Sequence, residues 1–262
     1  MSTRKFTRHK VATSTGATRT AVTAKAHHFA YPSDFFMWSA PEKVSSALTD
    51  QQSNGVRTAF DAGAAAKYDP SMLVSAGVFN AENPLRGGIF ERREPVKYII
   101  LHSTETESPA NAPRVIHSWN HGMRHPGAQF VVDRDGVIYQ AVDPKYGCVH
   151  VDVFRTTNGI NNDNAIGIEM VRAGSQRYTH DQLSSVTKLV AYLQGHFNVP
   201  NSGIFGHGQI QPSNRTDPVD FNWNDFVVSL GSIKQSKDEP QFALTPKAPS
   251  PAPQQKAWWA LF

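Results

Sequence analysis

Apolar positions become regular along the chain from residue 96. Val96-Lys97-Tyr98-Ile99-Ile100-Leu101-His102 is a β-branched and aromatic run that predicts a buried strand ending on a histidine. A loop around Pro109 and Pro113 follows, then a helix predicted over Arg114–His121. The short apolar runs 129–133 and 137–141 flank Arg134-Asp135-Gly136, and Asp-Gly supplies the positive φ angles of a tight hairpin turn. Ala165–Val171 predicts another strand. Thr179 and Gln182 then have the spacing of a capping box, and Leu183, Val186, Leu189, Val190 and Leu193 share one face of the helix they introduce. Asn198-Val199-Pro200 stops that helix, and Ile204–His207 begins the next strand or strand end. Strands interleaved with helices predict an α/β fold, a central mixed β-sheet flanked by helices.

The flanks of this regular region read differently. Residues 1–28 hold six of the 26 basic residues and none of the 22 acidic ones, which leaves 20 basic against 22 acidic residues elsewhere. The sequence pI near 9.2 is therefore largely a property of this arm, which argues against a nucleic-acid-binding domain. The arm lacks the apolar segment of roughly 7–15 residues that a secretory signal peptide needs. It reads as a disordered basic arm, an organelle transit peptide or a signal for a non-Sec export route. Residues 29–95 contain aromatic clusters and one short helix candidate at 59–66, and read as an N-terminal extension packed on the main domain. After residue 234 a Pro-rich linker leads to Trp258-Trp259-Ala260-Leu261-Phe262, either a docking segment for a partner or interface, or a tail folded back on its own domain. No run reaches the ~18 apolar residues of a membrane-spanning helix. Cys148 is the single cysteine, so no intrachain disulfide forms and the compartment stays open.

Candidate chemistry sits at strand ends. His102 closes the first strand, His207 lies between two glycines, and Asp217 follows ten residues later in Arg215-Thr216-Asp217-Pro218. Two imidazoles and a carboxylate form an open zinc site, leaving one coordination position for water. A histidine at a strand end is also an ordinary structural residue, and spacing by itself leaves both readings standing.

The order of motifs narrows the choice. Leu101-His102-Ser103-Thr104, the hairpin from Phe130 to Gln140, Asn164-Ala165-Ile166-Gly167-Ile168-Glu169 and Gly206-His207 with Asp217-Pro218 together resemble the zinc-dependent N-acetylmuramoyl-L-alanine amidases, relatives of the peptidoglycan recognition proteins. The resemblance spans roughly residues 96–230. It implies that His102, His207 and Asp217 bind Zn2+ and that Glu169 is the catalytic carboxylate. Arg215 stands where many relatives carry lysine, and a cation there would stabilise an oxyanion. It would alternatively hold stem-peptide carboxylates or pair with a neighbouring acid. Two departures stand out: Gln129-Phe130 replaces the usual His-Tyr, and Val149-His150-Val151 replaces Trp-His-Ala. His150 reads as a substrate-binding residue of the groove or a plain loop histidine, and Cys148 as a small buried residue.

The expectation is thus a hydrolase of the amide between N-acetylmuramic acid and L-alanine in peptidoglycan or soluble muropeptides. A peptidoglycan-binding module without catalysis is the competing reading. The N-terminal extension and the Trp-rich C-terminus favour a lytic role in the cell wall or periplasm, reached by a non-Sec route, with a cytoplasmic recycling role as the alternative. The expected units are the arm 1–28, the extension 29–95, the zinc amidase domain 96–234 and the tail 235–262.

Overall fold

The computed structural model of the protein describes residues 36–40, 47–106, 110–122 and 126–238, with side chains as far as residue 233. The basic arm, the Pro-rich linker and the Trp-rich C-terminus expected from sequence lie outside the described residues.

Local sequence explains where the elements begin. Helix α1 (Asp50–Asp61) opens on a reciprocal box, in which Thr49 Oγ1 accepts from the Gln52 amide and Gln52 Oε1 accepts from the Thr49 amide. Helix α2 (Pro70–Ser75) has Asp69 as its cap and proline in its first turn. Helix α3 (Ala112–Asn120) starts two residues before the expected position. Asn111 caps it and Pro113 occupies its first turn, so a proline that reads as loop opens a helix. Helix α4 (His180–Phe197) is capped by Thr179, which accepts from the Gln182 amide at 3.1 Å. The expected box is only half formed. Gln182 turns inward instead, its Nε2 donating to the Val132 and Val171 carbonyls at 3.0 Å. Asn198, in the left-handed conformation at φ 58°, ends the helix.

Six strands form one mixed sheet: β1 (Phe79–Asn80), β3 (Tyr98–Ser103), β4 (Phe130–Val132), β5 (Ile138–Gln140), β7 (Ala165–Met170) and β8 (Ile204–Gly206). Their order is β1-β5-β4-β7-β3-β8. The β4–β5 hairpin is antiparallel and every other pairing is parallel. A second, two-stranded antiparallel sheet joins β2 (Ile89–Glu91) to β6 (Tyr146–Cys148), and Met37 adds an antiparallel bridge to Ile89.

Alternation along the strands sorts the two faces of the large sheet. Ile99 and Leu101 of β3, Ile166, Ile168 and Met170 of β7, and Phe130 and Val132 of β4 pack with Val186, Leu189, Val190 and Leu193 of α4 in one buried cluster. Val56, Phe60, Leu73 and Phe79 from the N-terminal elements belong to the same cluster, as do Phe226 and Leu230 of α6 (Trp223–Asp238). Residues 47–80 therefore help to build the main core, and β1 is an edge of the main sheet. The alternate positions, His102 of β3 and Glu169 of β7, face away from α4.

Candidate metal centre

The site forms where three adjacent parallel strands end together. In the β3–β7 register His102 pairs with Glu169, and in the β3–β8 register Leu101 pairs with Gly206. His207, the first residue after β8, therefore lies beside His102 on the side opposite Glu169. Carboxyl ends of parallel strands are where α/β sheets commonly gather functional groups.

Asp217 arrives on a loop clamped against α5 (His207–Ile210). The Gly208 amide donates to the Asp217 carbonyl at 2.7 Å. A Cβ on Gly208 would sit 2.9 Å from Thr216 Cα and 3.0 Å from its carbonyl carbon. Glycine at this position is what lets the loop lie so close.

Three donor atoms converge. His102 Nδ1 is 3.0 Å from His207 Nδ1, His207 Nδ1 is 3.2 Å from Asp217 Oδ2, and His102 Nδ1 is 3.4 Å from the same oxygen. Bonds of about 2.0–2.1 Å to a tetrahedral zinc would separate ligand atoms by roughly 3.3 Å, so the triangle has the size such an ion requires. His102 and His207 are buried. The three residues sequence singled out as ligands are brought together, and the set fits a metal.

Hydrogen bonds behind the rings turn both Nδ1 atoms inward. His207 Nε2 lies 3.2 Å from Gln211 Oε1, which can only accept, so Nε2 carries the proton and Nδ1 keeps its lone pair. His102 Nε2 is 3.1 Å from His150 Nδ1, and His150 Nε2 is 3.4 Å from the Ala165 carbonyl. One tautomer per ring satisfies this chain, with each Nε2 donating. His150 lines the groove and also supports His102 from behind. Gly167 leaves room for the imidazole, since a Cβ there would lie 2.8 Å from His150 Cγ. Asn162 Oδ1 fixes this stretch by accepting from the His150 and Val151 amides at 2.9 and 3.0 Å.

Burial sets the electrostatics. It lowers the His102 pKa to about 4 against the opposing Asp217 hydrogen bond, and it holds His150 well below the usual histidine range. Burial pushes the Asp217 carboxyl upward, but the adjoining His102 and His207 rings outweigh it and hold the group well below the ordinary carboxylate range. Glu169 is lifted to about 8, first by burial and next by the charge of Asp217, with Arg215 opposing. Its Oε2 is buried and has no hydrogen-bond partner among the described residues. A positive charge at the donor triangle would draw the Glu169 pKa down again.

Arg215 is exposed, lines the same groove, and forms no ion pair among the described residues. The reading of it as a cation paired to a neighbouring acid therefore finds no support. Gln129 is fully buried and structural: it accepts from the Gly167 amide at 2.8 Å and donates to the Tyr146 carbonyl at 3.1 Å.

Sequence reasoning missed two contributors. Gln211 carried a signal, its i+4 spacing from His207. Arg172 carried none. Its buried guanidinium binds Glu105 at 2.5 and 2.7 Å and Asp220 at 2.7 Å, while Ser103 donates to Glu105 and accepts from the Val219 amide. This network joins the end of β3 to the chain just after Asp217.

A groove of about 1230 Å3 runs over the donor triangle and Glu169. The family model of N-acetylmuramoyl-L-alanine amidase matches residues 92–220. No curated protein sequence matches the chain. Among solved structures, the chain is similar to AmpD, crystallised as a selenomethionine derivative, at 22% identity over 58% of this chain and 92% of that one, with a TM-score of 0.48. It is similar to a mutant endolysin from Bacillus subtilis at 19% identity, covering 58% of this chain and 96% of the other, with a TM-score of 0.47. It is also similar to AmiD from E. coli, solved with anhydro-N-acetylmuramic acid-L-Ala-D-gamma-Glu-L-Lys, at 17% identity, 51% and 57% coverage, and a TM-score of 0.44. The family match takes in β3, β4, β7, β8 and the loop that ends in Asp217, and through residues 92–220 the chain belongs to the N-acetylmuramoyl-L-alanine amidase family.

Proposed function

We propose that the protein hydrolyses the amide between N-acetylmuramic acid and L-alanine with a zinc ion held by His102, His207 and Asp217, in the lysis or remodelling of cell walls. The observation that carries this reading is the donor triangle with the unpartnered Glu169 oxygen in the same groove. A binding module would need neither.

Zinc, when bound, supplies Lewis acidity that polarises a carbonyl and acidifies water. The protein's own groups do the rest. His102, His207 and Asp217 hold the ion, with His150 and Gln211 fixing the orientation of the two rings. Glu169 takes a proton from the water whose oxygen adds to the lactyl carbonyl carbon. As the C–N bond breaks, Glu169 returns that proton to the departing nitrogen of L-alanine. Arg215 donates hydrogen bonds to the carbonyl oxygen as negative charge collects on it.

The test uses purified sacculi, wild type and two variants, with metal content measured on each. His207→Ala should lose zinc. Glu169→Ala should keep zinc and release stem peptide at least ~1000-fold more slowly. Normal turnover by Glu169→Ala would remove that residue from the mechanism. Binding of sacculi without any release by zinc-loaded wild type would establish the binding-module reading. Activity on soluble muropeptides alone would point to recycling in place of lysis.

A further inference from the structure

Three residues after each of three site residues stands a member of one ion-pair network. Glu105 follows His102 beyond the end of β3, Arg172 follows Glu169 beyond the end of β7, and Asp220 follows Asp217. The Arg172 guanidinium is 1% exposed. One of its terminal nitrogens binds both Glu105 oxygens and the other binds Asp220 Oδ2, while its Nε donates to the Gln176 carbonyl at 2.8 Å. A guanidinium is a rigid planar fork, so these contacts fix how far apart its partners lie.

The carbonyl of Asp217 itself is taken by the Gly208 amide. Beyond it Pro218 has no amide hydrogen to give, and the anchors of the next two residues gather around Arg172. The Val219 amide donates to Ser103 Oγ at 3.2 Å, and that hydroxyl donates in turn to Glu105 at 2.7 Å. The Val219 carbonyl accepts from the Tyr178 hydroxyl at 2.8 Å, and the guanidinium lies 5.6 Å from the centre of the Tyr178 ring. Both acids bound by Arg172 have left-handed backbones, φ 45° at Glu105 and 54° at Asp220. Residues with side chains hold that conformation mainly where their surroundings impose it. The Asp220 side chain is 77% exposed, so burial is not what fixes it.

We infer that Arg172 is a positioning residue for the metal centre. It is a strut that holds the loop after Asp217 against the ends of β3 and β7, so that Oδ2 stays within reach of both imidazoles. The inference rests on the zinc reading. A buried guanidinium needs anions wherever it lies, and that need alone would concern stability only. Here the two anions stand on the backbones that carry two different ligands, His102 and Asp217. Loss of the fork therefore falls on the spacing of the donor triangle.

The test is the zinc affinity of the full chain by chelator competition, with the melting temperature of the metal-free protein beside it. Asp220→Gly removes the carboxylate and leaves the left-handed backbone open. It should weaken zinc binding about tenfold and leave the melting temperature near wild type, because the lost group is exposed. Asp220→Asn, which keeps an acceptor oxygen for the fork, should recover most of that affinity. Arg172→Lys puts a point charge in place of the fork and should also lose about tenfold. The double variant Arg172→Lys/Asp220→Gly should lose no more than the larger single loss, since both act through one contact. Cobalt(II) bound in place of zinc should show altered visible absorption in both single variants, the signature of a changed ligand geometry. Wild-type affinity in Asp220→Gly and Arg172→Lys, additive losses, or a loss in Asp220→Gly matched by a fall in its metal-free melting temperature each overturn the assignment and leave the zinc reading standing. No zinc binding by wild type overturns both.

Discussion

His150 illustrates how much a single side chain contributes here without touching a metal. Its Nδ1 accepts from His102, whose other nitrogen completes the donor triangle. Partners of this kind typically change metal affinity 10–100-fold. His150→Ala should therefore weaken zinc binding by one to two orders of magnitude in a chelator titration, and unchanged affinity would make His150 a mere groove residue. Cys148 shows the opposite extreme. Burial raises its thiol to about 12, and its Sγ donates to the Gly127 carbonyl at 3.2 Å. At pH 8 the thiol is protonated and enclosed, so a thiol reagent should label it only after denaturation. Rapid labelling of the native protein would show the site to be open. At this scale the convergent trio of His102, His207 and Asp217 was legible because such chemistry is rare at strand ends. Arg172 was not, since a charged residue after a strand ordinarily faces solvent, and only the folded chain shows it bound by Glu105 and Asp220.

Elements were legible wherever one local signal dominated. The Asp-Gly hairpin and the one-sided apolar pattern of α4 are of that kind, each written in neighbouring residues. Pro113 and Gln182 misled for a shared reason: each has a local preference and a second, equally good use that tertiary context selects. The glycines of Gly206-His207-Gly208 are packing residues, Gly206 against Pro218 and Trp223 and Gly208 against Thr216. Gly208→Ala would press a methyl group onto the Thr216 backbone, and overpacking of this kind costs about 1–3 kcal/mol. The strain should displace Asp217, so the variant should bind zinc at least ~10-fold more weakly while its circular dichroism spectrum stays near wild type. Wild-type zinc affinity would show that the loop yields elsewhere.

For the molecule as a whole, the family-matched stretch is less than the folding unit. Phe60, Leu73 and Phe79 before residue 92, and Phe226 and Leu230 after residue 220, lie in the core with α4. Burying each such side chain contributes roughly 1.5–3 kcal/mol, and five of them together rival the ~5–15 kcal/mol by which a domain is usually stable. A fragment of residues 92–220 should therefore lack a cooperative melting transition, while 47–238 should keep one. Cooperative unfolding of the shorter piece would show that the outer elements are accessories. Sequence did not reveal this dependence, because nothing in residues 47–80 states which sheet they will join.

The spacing of the proposed ligands also bears on when a metal could enter. His102 and His207 are 105 residues apart, and Asp217 follows ten residues later. In a growing polypeptide the first ligand emerges long before the other two, and no pair of neighbours can seize an ion early. Zinc fingers, whose ligands are close in sequence, fold around their metal. On the zinc reading proposed above, the ion would arrive at a finished scaffold and would reward correct assembly without directing it.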